Sequence, residues 1–159
     1  TVRFFGQMAE YGVNRNVILV GASGTVTSQN LPAIGKAAEG FVTGVGYSPK
    51  IDNPANKKFV ASFQAAYKTL PDLYGADSYG LVFLYKAAAE KAKSIETSKL
   101  RDAMRGLSWD TPQGKKTMRA GDHQAMQEML AVRIENGEFN IIGRVTPDDA
   151  IGADICTRF

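Results

Sequence analysis

Apolar residues recur along this chain in two rhythms. Near its start, Phe4, Phe5, Met8 and Ala9 fall at helical spacing before Gly12. The block Val17-Ile18-Leu19-Val20 does not alternate, which predicts a strand over 16–20 buried on both faces of a parallel sheet. Gly21-Ala22-Ser23-Gly24-Thr25 then forms a loop, with Ser28 as the expected N-cap of a short helix carrying Leu31, Ile34, Ala37 and Ala38. Gly40 stands at its C-terminal end, and a second strand is expected over 41–45. Strand, helix and strand in this order describe an α/β unit.

Tyr47 to Asn56 carries two prolines, two asparagines and an aspartate, and reads as a linker or exposed crossover. Beyond it, Phe59, Phe63, Tyr67 and Leu70 form an amphipathic stripe that predicts a helix over 56–70. Residues 77–93 are apolar nearly all round through Leu84, which predicts a central, buried helix, and a third helix is expected over 97–105 before Gly106. Residues 109–119 are turn-rich and expected to be extended. Leu130, Val132 and Ile134 alternate ahead of Asn136-Gly137, a type I′ turn signal, so residues 129–145 are expected to form a hairpin.

Composition narrows the chemistry. The chain has 159 residues, room for one domain or parts of two, and its nineteen Lys and Arg against sixteen Asp and Glu are scattered, which argues against a nucleic-acid surface. The longest run of large apolar side chains, Leu81 to Tyr85, is far too short to span a membrane. One cysteine, Cys156, and one histidine, His123, leave no basis for a cysteine-built metal site or an internal disulfide, and no cofactor is expected. Cys156 remains open between an inert thiol, a nucleophile and half of a disulfide formed outside this chain. Thr1 opens directly onto a helical pattern, so the chain is expected to be part of something longer.

Ser23 follows a strand and invites comparison with a nucleophile elbow, but Thr25 stands where the second glycine is needed. His123 is expected to cap a turn or bond a nearby backbone group. A serine or cysteine hydrolase is therefore the weakest of the functional readings. Tyr74, in the loop before the buried helix, is free to face a cleft.

Four segments, Ile18-Leu19-Val20-Gly21-Ala22-Ser23-Gly24, Ala37-Ala38-Glu39-Gly40, Asp52-Asn53-Pro54-Ala55-Asn56 and Asp77-Ser78-Tyr79-Gly80, share an order and spacing with one known family. Trp109-Asp110-Thr111-Pro112-Gln113-Gly114 and Asp122-His123-Gln124-Ala125 extend the match. Together they resemble the type I periplasmic solute-binding proteins of ABC transporters, of the branched-chain amino acid and amide receptor type. The resemblance implies an α/β, periplasmic-binding-protein-like fold with parallel-sheet lobes, of which this chain is the C-terminal half. Residues 1–45 would belong to the second lobe, 46–126 to the first, and 127–159 would form a hairpin and tail crossing back.

By the same resemblance the protein is not an enzyme. It would be exported to the periplasm, bind a small polar solute (an amide, an amino acid or an aromatic carboxylate) between its lobes, and deliver it to a membrane permease. A ligand-sensing receptor domain of the same fold is the alternative. Ser23, with its neighbours Ala22 and Gly24, matches a ligand-contacting loop, and Tyr74 matches an aromatic position of the opposite lobe. The family often places an acidic residue where Ser23 stands, which argues against a simple amino-acid ligand, while Asp77 is a further candidate partner for an ammonium. The missing N-terminal half, or a second copy of the chain, is expected to complete the fold.

Overall fold

The computed structural model describes residues 1–155. In chain order it contains α1 (Val2–Glu10), β1 (Val20–Gly21), α2 (Leu31–Ile34), β2 (Val42–Val45), α3 (Pro54–Tyr67), α4 (Leu73–Ala92) and α5 (Thr97–Met104). There follow β3 (Ser108–Thr111), β4 (Gly114–Met118), β5 (Ala125–Met126), β6 (Met129–Glu135), β7 (Glu138–Val145) and α6 (Pro147–Ile151). Cys156 lies outside the described residues.

Two sheets organise these elements. The first has the order β1-β2-β6-β7 and the second β3-β4-β5. Among the described residues, β1 and β2 pair in parallel, with Val20 facing Val42, and every other pair is antiparallel. Strand β6 is the hinge of the topology, because it follows the second sheet in sequence yet pairs with β2 of the first.

Local chemistry explains the termini. Asn53 caps α3 by accepting the Asn56 backbone N–H at 2.7 Å, and Pro54 occupies the first turn, where no amide hydrogen is needed. Asp72 caps α4 in the same way through the Gly75 N–H. The turn between β6 and β7 has positive φ at both Asn136 (56°) and Gly137 (74°), as the type I′ geometry demands. Leu130, Val132 and Ile134 are all buried, as their alternation predicts.

Some expectations need correction. The strand expected over 16–20 is reduced to Val20–Gly21, and Ile18 is 77% exposed, because nothing pairs or covers the outer side of β1 among the described residues. The start of α2 is organised not by Ser28 but by Thr27 and Asn30, which exchange side-chain to backbone bonds: the Thr27 N–H donates to Asn30 Oδ1 at 2.8 Å, and the Asn30 N–H to Thr27 Oγ1 at 3.3 Å. The crossover after β2 is not exposed, since Tyr47, Ser48 and Ile51 are buried. Residues 108–118 are extended and turn as expected, and they form a regular hairpin with Trp109, Thr111, Lys116 and Met118 facing inward. Helix α6, which the sequence did not announce, starts at Thr146, whose hydroxyl accepts the Asp149 N–H.

The largest correction concerns α4. It is central in sequence but only half buried: Ala76, Gly80, Leu84 and Ala88 form its inner stripe, while Leu81 and Tyr85 are exposed and Val82 is 66% exposed. Small residues on the inner stripe let β3 approach closely, so that a methyl group at Gly80 would stand 3.3 Å from Thr111 Cγ2. Among the described residues nothing covers the apolar outer face.

Three apolar clusters hold the molecule together. Phe5, Val26, Leu31, Ile34, Ala38, Phe41 and Ile134 close α1 and α2 onto the first sheet. Val45, Tyr47, Leu130 and Val132 join that sheet to Phe59 of α3 and Ala76 of α4. A smaller cluster of Leu84, Trp109 and Met118 lies under α4.

Candidate functional site

The loop after β1 emerges from the carboxyl end of a parallel strand, where open α/β sheets present ligand-binding groups. It turns sharply: the Thr25 N–H donates to the Ala22 carbonyl at 3.1 Å, and Gly24 adopts φ 82°. A side chain at Gly24 is excluded twice, by that backbone conformation and by Tyr74, whose hydroxyl oxygen would lie 2.8 Å from a Cβ there. The structure thus brings Gly24 against Tyr74, although fifty residues separate them in sequence. Ser23 and Ala22 are exposed, and Tyr74 is 60% exposed despite its contact with Gly24.

Asp77 lies one turn further along α4 and is already engaged. Its Oδ1 accepts from Gln113 Nε2 at 2.6 Å and from Lys116 Nζ at 2.9 Å, and the Lys116 side chain is only 8% exposed. A largely buried ammonium needs a counter-charge, so Asp77 is held by β4 and the turn before it. Gln113 Oε1 and Trp109 Nε1 are buried there without a protein partner among the described residues.

A cavity of about 640 Å³ opens next to the loop, within the size range of small-molecule sites. Val26, Leu31, Val45, Leu73 and Phe139 supply apolar wall, and Lys50, Asp72 and Glu138 contribute charge. Neither Ser23 nor Tyr74 lines it; their chain neighbours Val26, Thr27, Asp72 and Leu73 do. The sequence pattern did not single out these wall residues, because they come from four separate segments and each reads individually as core.

Tyr47, which also lines the cavity, donates its hydroxyl to Asn56 Oδ1 at 2.9 Å. Burial, with a smaller contribution from the Asp72 carboxylate, raises the Tyr47 pKa well above that of a free phenol, so the group stays a donor. The fully buried Asn56 also donates to the carbonyls of Pro49 (3.1 Å) and Ile51 (2.8 Å), fixing the crossover from inside. Asn53-Pro54 followed by a second asparagine was the available signal for this arrangement. His123 Nε2 lies 3.1 Å from the Arg101 carbonyl, the backbone bond expected of it. Among the described residues, no three His, Cys, Asp or Glu side chains come together as a metal site, and no helix is long and apolar enough to cross a membrane.

Residues 1–138 match the family model described as "Periplasmic binding protein". A Leu/Ile/Val-binding protein homolog 6 of Brucella abortus is 30% identical over 117 residues, covering 69% of this chain and 30% of that protein. The solute-binding protein of an ABC transporter from Rhodopseudomonas palustris, solved with benzoate, is similar with a TM-score of 0.80 at 26% identity, over 97% of this chain and 43% of that one. A second such protein, from R. palustris BisB5 and solved with 3,4-dihydroxybenzoic acid, gives a TM-score of 0.81 at 24% identity, over 91% and 42% of the two chains. The chain thus spans well under half the length of these relatives. It belongs to the periplasmic binding protein family, with the type I fold of ABC-transporter solute-binding proteins.

Proposed function

We propose that this chain is the C-terminal part of a periplasmic solute-binding protein of an ABC uptake transporter, which closes two lobes around a small polar solute and presents it to a membrane permease. Residues 1–45 and the hairpin and tail at 127–159 form its share of the second lobe, and residues 46–126 its share of the first. The observation that carries this reading is the approach of Tyr74 to Gly24, which sets a ring from one lobe against the small-residue loop of the other. Binding and release need no bond chemistry, so the protein acts as a carrier and not as an enzyme.

The solute class follows from charge. The Ala22–Thr25 loop carries no acidic side chain, and the Asp77 carboxylate is committed to Lys116 and Gln113. A ligand ammonium seated at this loop therefore finds no carboxylate in the loop or free on Asp77, whereas the Ser23 hydroxyl and the loop amides suit a carboxylate or amide. An aromatic carboxylate fits best, with Tyr74 covering its ring, and the benzoates held by two structural relatives support that choice. The remaining N-terminal part of the protein, in place of a second copy of the chain, would cover the bare face of α4 and the open side of β1.

Thermal shift and calorimetry on the full-length protein test this. Benzoate and 4-hydroxybenzoate are expected to stabilise it more than leucine or acetamide at equal concentration. Tyr74→Ala is expected to weaken benzoate binding by about 1–3 kcal/mol through lost ring burial, and Ser23→Ala by about 0.5–1.5 kcal/mol through one lost hydrogen bond. Ser23→Glu should shift preference from acids toward ammonium-bearing solutes. Unchanged affinity in both alanine variants would remove Ser23 and Tyr74 from the site.

A further inference from the structure

Strand β4 carries a lysine where its inward position calls for an apolar residue. Lys116 stands opposite Trp109 in the β3–β4 hairpin and faces the same way as Thr111 and Met118, with its side chain only 8% exposed. Its ammonium donates to Asp77 Oδ1 at 2.9 Å, and Gln113, from the turn of the same hairpin, donates Nε2 to that oxygen at 2.6 Å. The arrangement leaves one group unsatisfied. With its nitrogen given to Asp77, the Gln113 amide keeps Oε1 buried without a protein partner among the described residues, which is costly. A buried ion pair is weak evidence for stability, since apolar side chains of similar volume often serve as well. What the pair supplies is direction.

Helix α4 has need of it. The stripe it buries, Ala76, Gly80, Leu84 and Ala88, is made mostly of small residues, and such a smooth face lets a helix slip or turn about its axis. Among the described residues, the side-chain hydrogen bonds that run from α4 to the second sheet are those of Asp77. The same turn also receives Asn53, whose Nδ2 donates to the carbonyl of the buried Pro112 at 3.1 Å, so the starts of α3 and α4 are tied to one point. Asp77 follows Tyr74 by three residues and shares its side of the helix. Any turn of α4 at Asp77 therefore carries with it the Tyr74 ring, whose hydroxyl occupies the space a side chain at Gly24 would enter.

We infer that Lys116 and Gln113 are positioning residues for solute binding: through Asp77 they fix the first turns of α4 so that Tyr74 is held against Gly24. This rests on the solute-binding reading above, and it gives Asp77 a different task from the one its position in the sequence suggests. Its carboxylate is the peg by which the hairpin holds the helix, not a partner for a solute ammonium. Neither Lys116 nor Gln113 needs to touch the solute for affinity to depend on both.

The test uses the full-length protein with benzoate and leucine as probes. Lys116→Met removes the ammonium, fills similar space and leaves Asp77, whose side chain is 44% exposed, in reach of water. It is expected to weaken binding of whichever probe the wild type binds by about five- to tenfold. In a Tyr74→Ala background the same substitution should change affinity by no more than about twofold, because the ring it positions is gone, a cancellation that a general loss of stability would not give. Lys116→Gln keeps a donor for Asp77 and should lose less; it carries the same cycle if Lys116→Met does not fold. Amide exchange without any solute supplies a second reading: the first turns of α4 should exchange faster in the variant, and residues 86–92 at the wild-type rate. A wild type that binds neither probe overturns the ligand class proposed above and leaves exchange to decide the anchor. Unchanged probe affinity, an equal loss with and without Tyr74, or unchanged exchange at the start of α4 overturns the inference.

Discussion

The β6–β7 hairpin and helix α4 are among the most apolar segments of this chain, and they meet opposite fates. The hairpin turns Leu130, Val132 and Ile134 onto a face that β2, α1, α2 and α3 enclose, and all three are buried. Helix α4 buries a narrow stripe of small residues and leaves Leu81, Val82 and Tyr85 uncovered. An apolar pattern states what a segment requires of its surroundings; it does not state that the surroundings are in the same piece of chain. The hairpin's partners lie within the described residues, whereas among them nothing covers the outer face of α4.

That contrast can be broken by substitution. The largest effect is expected from Ile134→Ala, which should cost about 2–5 kcal/mol in urea unfolding by opening a cavity in a closed cluster. Val82→Asp should change the stability of the 159-residue chain by no more than about 0.5 kcal/mol. In the full-length protein the same substitution should cost about 3 kcal/mol or more, because it would bury an unpaired charge beneath the remaining segment. Equal, small effects in both lengths would show that nothing covers α4.

A smaller loss, about 2–3 kcal/mol, is expected from Asn56→Ala, which strands the Tyr47 hydroxyl and two carbonyls in a buried place. Tyr47→Phe should cost less, since it removes one partner of that amide and keeps the ring. Amide exchange of the 47–53 segment would follow the same order.

The smallest effect is electrostatic. Arg119 holds the Asp122 carboxyl down to about 2, helped by the Gln124 N–H, and Lys50 lowers Glu138. Both groups bind protons more weakly in the folded state than in the unfolded one, so their contribution is present above the ordinary carboxylate range and disappears as pH falls through the lowered values. Stability should be flat on acidification to about pH 4.5 and decline from there toward pH 2. Arg119→Ala should blunt the lower part of that decline in a pH series of thermal melts.

What was legible in the sequence was whatever depends on near neighbours. Asn136-Gly137 fixes the hairpin turn because two consecutive positive φ angles suit few other pairs. The spacing of Phe59 and Phe63 gave α3, and Pro71 separated it from α4. The length of β1 was not legible, because a strand extends only as far as something pairs with it. Asp77 drew attention as a free carboxylate, but Lys116 reaches it from a hairpin whose register no local pattern discloses. The approach of Tyr74 to Gly24 depends on the packing of distant elements, so the sequence could suggest both residues without showing that they meet.

The pairing of β2 with β6 also governs timing. Val42 takes its partner, Arg133, from about ninety residues further along the chain, and such distant pairing is slow to form. During synthesis Phe5 and Phe41 are made long before Ile134, which completes their cluster. The first sheet therefore stays unfinished while the intervening helices and the second sheet are being made, exposing apolar surface that a chaperone can hold until the β6–β7 hairpin arrives to close it.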